Sequence, residues 1–202
     1  MIKRIILDVF FYLGVPLLVW NLFKEDLGEY HAILFGMLPA VIYTVVSFIL
    51  KKEWNVTGVF FLSIISLNFL FNVLSENAEQ ELWNGVYMCG ISIAFYVITI
   101  LAKKPIGIYF FIDYAHAKGV PREDSSKLYR SSDNYHHFVK FTWFLVLREV
   151  VVGVVKSILI LEKGVDGFNT IQITSSVLGY VFTGLTIVYV IYILKNIKKN
   201  DE

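Results

Sequence analysis

Six stretches of this chain are too long and too apolar to lie in water. They run approximately Ile5–Phe23, Ala32–Leu50, Val56–Leu74, Trp83–Ala102, Phe141–Leu161 and Ile171–Leu194. A transmembrane helix needs about 20 mostly apolar residues, within a range of about 17–25. None of the six shows the alternation of an outer-membrane strand. The expected fold is therefore all-α: a single integral membrane domain over residues 1–202 with six transmembrane helices, arranged as three helical hairpins because the connections are short. Composition agrees. The chain is 56% apolar and 17% charged, against about 45–50% and about 25% for a soluble domain. Mean hydropathy is +0.63. The first run exceeds a signal-peptide core of about 7–15 residues and no small-x-small site follows, so it is expected to be retained as a span.

Basic residues set the orientation. MIKR, KKEWN, the 103–140 loop and KNIKKNDE hold 14 of the 18 lysines and arginines. The loops FKEDLGEYH, SENAEQE and EKGVDGFN hold only Lys24 and Lys163, and are instead acidic, with Glu25, Asp26, Glu29, Glu76, Glu79, Glu81, Glu162 and Asp166. This pattern places both termini in the cytoplasm. Anionic lipid headgroups are the expected partners of the basic inner loops, nucleic acid is not implied, and membrane-protein partners remain open.

Helices in lipid associate through close packing and hydrogen bonds. Small residues at four-residue spacing make three stripes: Ala32, Gly36, Ala40 and Thr44; Ser175, Gly179 and Thr183; and the shorter pair Gly90 and Ala94. Each is expected to face another helix. Pro16 and Pro39 lie inside the first two runs and are expected to kink them. Asn68, Asn72 and Glu76 form a polar stripe that should face the bundle interior, and Asp8 lies near the inner end of the first run.

The long inner loop begins Lys103-Lys104-Pro105. Proline suits a first helical position, and IGIYFFIDYAHAK ends at the stop signals Gly119 and Pro121. It reads as a short amphipathic helix on the inner membrane face, between spans four and five, with Tyr109, Phe110 and Tyr114 at headgroup level. REDSSKLYRSSDNYHH reads as a second short helix or loop. His136 beside His137 is a poor metal pair, because adjacent helical residues point about 100° apart, and Asp113 with His116 completes no HxxxH, HExxH or ExxH pattern. The single cysteine, Cys89, excludes an intramolecular disulfide or a CxxC site. No nucleotide loop or nucleophile motif is present. No cofactor or metal is expected, and no enzyme activity.

LGEYHAILFGMLPAVI, FILKKEWN and ILAKKPIGIYF resemble the bacterial intracellular septation protein A family and its six-span integral membrane relatives. The resemblance rests on Gly28, Ala32 and Pro39, on Lys51 and Lys52, and on Lys104-Pro105-Ile106 with Tyr109. It spans about residues 10–115, with FVKFTWF similar to a later helix start. It implies a bacterial cytoplasmic (inner) membrane protein linked to envelope maintenance or septation, without implying a reaction.

The chain departs from that family at Arg148, Glu149 and Lys156, inside the fifth run. A charge at the bilayer centre costs about 2.5–3.5 kcal/mol. Glu149 and Lys156 share a helix face about 10.5 Å apart along the axis, and Arg148 is close enough to the inner end to snorkel. Three roles are open. The charges pair within the bundle, with Asn68, Asn72 or Glu76 as partners. Alternatively Arg148 and Lys156 line a cavity for an anionic or zwitterionic solute or lipid headgroup, with Glu149 as counter-charge. The third role is catalytic. The expected function is a non-enzymatic envelope protein acting through protein or lipid contacts; the alternative is a small transporter or channel. Arg148, Glu149, Lys156, Asn68 and Asn72 are the candidate cavity residues.

Overall fold

The computed structural model describes residues 9–51 and 55–197. The expected features at Lys3, Arg4, Asp8, Lys52, Lys198 and Lys199 lie outside the described residues. These form helices throughout: α1 Val15–Leu27, α2 Glu29–Lys51, α3 Val56–Val73, α4 Ala78–Leu101, α5 Ile106–Ala117, α6 Arg122–Arg130, α7 Ser132–Lys163 and α8 Phe168–Asn196. A π-helical turn, Phe10–Gly14, precedes α1, and a 3-10 turn, Val165–Gly167, precedes α8.

Among the described residues, four segments are long and apolar enough to cross a membrane: Glu29–Val46, Val56–Val73, Ala78–Leu101 and Val165–Asn196. Only 6% of the last is buried within the chain. Leu22, Ile42, Ile98, Leu101, Leu147, Leu161 and Val188 are likewise more than half exposed. Such surfaces suit lipid, where an exposed aliphatic side chain costs nothing. Helix α7 is long, 32 residues, but its apolar stretch contains the three charges. Helix α1 has only 13 residues, because the π turn and Pro16 interrupt the first run.

That interruption has a tertiary partner. Pro16 has no N–H, so the Tyr12 carbonyl one turn back lacks its usual donor. The Gln172 amide of α8 donates to it instead at 2.9 Å. Gly36 of α2 packs against the Pro16 backbone, where a Cβ would stand 3.1 Å from its Cα. Ala32, Gly36 and Ala40 are buried against α1, and the Thr44 and Tyr12 hydroxyls hydrogen-bond. The first small-residue stripe therefore packs as expected.

The other two stripes do not. Gly90 has open space around it and Ala94 is exposed. The close α4–α7 approach uses Cys89 against Gly153, where a Cβ would lie 3.3 Å from the Cys89 Cβ. Gly179 also has open space, and Ser175, Gly179 and Thr183 line a cavity rather than a helix contact. Four-residue spacing marks a narrow stripe, but only the rotation of each helix decides what that stripe meets.

Helix α7 is the spine. It packs along α4 and carries Phe138 and Phe141 into one apolar cluster and Ile160 into another. These clusters lie about 30 Å apart along it. The second centres on Trp20, stacked on Phe168 at 4.5 Å. The first is built around α5. The expected helix is present, and Gly119 ends it with φ +90°, but it does not lie flat on a surface. Ile106, Ile108, Phe111, Ile112 and Ala115 are buried. Phe111 meets the rings of Phe138, Phe141 and Tyr129 at 5.1, 5.4 and 6.2 Å. Tyr114 alone of the three expected headgroup aromatics is exposed; Tyr109 and Phe110 pack partly against the core. Aromatic rings on all sides of α5 have partners, which an amphipathic pattern does not reveal. Burial also pushes the Tyr129 phenol above its ordinary range.

Candidate functional site

Two charges of α7 line separate cavities, Arg148 one and Lys156 the other, while Glu149 is buried beside Arg148. Arg148 and Glu149, adjacent in sequence, pair directly: Arg148 Nη1 lies 2.7 Å from Glu149 Oε1. Glu149 is buried, on the helix that packs most closely along α4. One of the five guanidinium N–H donors is thus used, and Arg148 also lines a cavity of about 990 Å³. This is at the upper end of the roughly 300–1,000 Å³ typical of ligand pockets.

The large cavity is amphiphilic. Tyr43, Phe48, Phe61, Phe110 and Tyr180 supply rings, while Thr44, Thr57, Ser175, Ser176 and Thr183 supply hydroxyls. The Ser175 hydroxyl is buried without a hydrogen-bond partner among the described residues. Asp113 of α5 forms part of the wall and is fully engaged. Its Oδ2 accepts from Thr57 N–H at 2.8 Å and from the Thr57 hydroxyl at 2.7 Å. Its Oδ1 meets Arg122 at 3.0 Å. Asp113 therefore holds the N-terminus of α3, where Asn55 also caps by accepting from Gly58 N–H at 2.6 Å. The His136 and His137 rings lie 4.0 Å apart. No group of three His, Cys, Asp or Glu capable of holding a metal occurs among the described residues.

Lys156 lies two helical turns from Arg148 and lines a separate cavity of about 170 Å³ with Asn68 and Asn72. Asn72 donates to Asn68 Oδ1 at 3.0 Å, and Asn84 donates to Asn72 Oδ1 at 3.0 Å and to Ser75 Oγ at 2.7 Å. The polar stripe thus faces inward as expected, with one correction. Glu76 is exposed, because α3 ends at Val73 and the chain turns outward. The inward acid is Glu81, which the charge pattern assigns to an outer loop. Asn77 caps α4 by accepting from Gln80 N–H at 2.8 Å. Helix then begins at Ala78 and turns Glu81 inward with Ala78, Leu82, Asn84 and Cys89. The run of buried residues Ala78, Leu82, Cys89, Ser92 and Tyr96 is the sequence signal that marks this face.

Asn84→Leu is expected to leave Asn72 Oδ1 and Ser75 Oγ without their donor. The loss should be about 1–2 kcal/mol, read as a lower thermal midpoint in detergent, with Asn77→Ala showing only the loss of one helix cap.

The structure thus brings Arg148 to Glu149, and Lys156 to Asn68 and Asn72, without joining all five residues in one site. No protein-family model matches the chain, and no curated protein or solved structure does. The class defined by the fold is that of an all-helical protein with several helices suited to a membrane. The resemblance to the septation protein A family stays an expectation from sequence.

Proposed function

We propose that this chain is a non-enzymatic six-span protein of the bacterial inner membrane, with both termini cytoplasmic. In this reading it binds and translocates an anionic amphiphile, with Arg148 as the headgroup contact. The observation that carries the reading is the large cavity lined by aromatic rings, by Arg148 and by Ser175, whose hydroxyl has no hydrogen-bond partner among the described residues. A lipid-like molecule needs both surfaces at once: rings and aliphatics along the chain, and a cation at the head. Glu149 holds Arg148 in place and lowers the cost of keeping it among apolar helices, since a paired charge is less expensive there than a lone one. On this reading α7 spans the membrane despite its charges, and α1 with its π turn completes the six. Envelope maintenance, the role implied by the sequence resemblance, is compatible with such a carrier.

The test is flux in proteoliposomes, using fluorescent phosphatidylglycerol and, for comparison, fluorescent phosphatidylcholine. The wild-type protein should speed movement of the anionic lipid between leaflets. Arg148→Gln should slow it about tenfold or more, since a charge-assisted hydrogen bond is worth about 1.5–3 kcal/mol and about 1.4 kcal/mol is tenfold. Equal rates in empty, wild-type and Arg148→Gln vesicles would remove the carrier reading.

A further inference from the structure

The Arg148 cavity leaves Glu81 and Lys156 without a role. Glu81 is 4% exposed, and both of its carboxyl oxygens are buried with no hydrogen-bond partner among the described residues. Lys156 makes no ion pair among the described residues. Both line the same cavity of about 170 Å³, yet no Glu81–Lys156 contact within 4.0 Å exists among the described residues. We propose that this cavity binds a small zwitterion of the amino-acid type, with Glu81 holding its ammonium group and Lys156 its carboxylate.

The construction of the cavity supports this. All six long helices reach it: Pro16 from α1, Met37 from α2, Asn72 from α3, Glu81 from α4, Lys156 from α7 and Gln172 from α8. Gly85 makes room for the Lys156 ammonium, since a Cβ there would stand 2.5 Å from Lys156 Nζ. Glu81 and Gly85 are one helical turn apart, about 6 Å of rise. Glu81 and Lys156 thus both border one small cavity, the Lys156 Nζ beside Gly85 and the Glu81 side chain one turn away. Asn72 is committed to Asn68 and Asn84, which fixes the wall. Gln172 also lines the cavity and donates its amide to the Tyr12 carbonyl.

The charges also select the ligand. A lone cation meets Lys156 and a lone anion meets Glu81, each a like-charge contact in a poorly screened interior. A molecule with one charge of each sign offsets both and keeps the site neutral. The volume corresponds to about five waters at about 30 Å³ each, so the fit is to a compound as small as glycine or alanine.

Equilibrium binding of radiolabelled glycine and alanine to the full chain in nanodiscs tests this, with unlabelled acetate and methylamine as competitors. Saturable binding of at least one amino acid is expected, with neither competitor displacing it at equal concentration. Glu81→Gln and Lys156→Gln should each weaken it at least tenfold. Gly85→Ala should do so as well, by displacing the ammonium group without removing a charge, and it covers the case in which the charge variants do not fold. Arg148→Gln should leave binding unchanged, so failure of the amphiphile carrier and failure of this site are distinguishable. No saturable binding to the wild type, full displacement by methylamine, or binding indifferent to Gly85→Ala and to the charge variants would overturn the proposal.

Discussion

Asp113→Ala is expected to cost about 2–4 kcal/mol, seen as a thermal midpoint lower by about 4–16 °C in detergent at about 2–4 °C per kcal/mol. The reason is convergence. One carboxylate, 5% exposed, receives the Thr57 backbone N–H, the Thr57 hydroxyl and Arg122. Alanine removes three partners at once and uncouples the start of α3 from α5 and α6. The Arg122 side chain is 45% exposed, so it regains water, and that limits the loss. Asp113→Asn keeps an acceptor for Thr57 and should lose less. Arg122→Ala should lose least, under about 1 kcal/mol, as for other solvated ion pairs. If Arg122→Ala matched Asp113→Ala, the energy would lie in the ion pair and not in the helix cap.

Gly107→Val is expected to be comparably damaging, by about 3 kcal/mol. A Cβ at position 107 would stand 2.9 Å from Phe141 Cδ1, 3.0 Å from Thr142 Oγ1 and 3.1 Å from the Phe138 carbonyl oxygen. The last of these is backbone of α7, which cannot turn aside as a side chain would. Helix α5 must retreat, and with it go the Phe111 ring contacts and the 3.2 Å hydrogen bond from Gly107 N–H to Thr142. Gly107→Ala in combination with Phe141→Leu should recover part of the stability lost by Gly107→Ala alone, because the two sites touch and their effects do not add. Gly90→Ala is the control. With nothing within 4 Å of the added methyl, it should be neutral or stabilising by about 0.5–1 kcal/mol through helix propensity. Chemical denaturation of the set, followed by tryptophan fluorescence, gives the comparison.

The chain-local features were legible residue by residue. The helix expected from about Val56 runs over Val56–Val73, and the one expected at Pro105 begins directly after it, over Ile106–Ala117. The Ala32–Gly36–Ala40 stripe meets a helix, and Asn68 with Asn72 faces inward. Lys103 shows a limit of such reading: it takes φ +56° to end α4, so that Lys104 N–H reaches the Thr99 carbonyl at 2.9 Å. A left-handed residue is ordinarily sought at glycine or asparagine, and nothing about a lysine in a basic pair announces the role.

At the candidate site the division is sharper. Arg148, Glu149 and Lys156 stand out because charge among valines and leucines is costly wherever the helix sits. Their separation into two cavities, and the presence of Glu81 beside Lys156, could not be read from α7 alone.

By itself the sequence determined that these segments are helices with apolar surfaces, since hydrophobic run length and backbone hydrogen bonding are properties of a segment and need no partner. Only the tertiary structure decided which side of each helix meets protein, lipid or cavity. Each residue turns a helix by about 100°, so a small rotation moves Gly90 outward, Gly85 inward and Glu81 from loop acid to cavity wall. The group that completes a buried charge comes from a helix distant in sequence, and its position is set by packing.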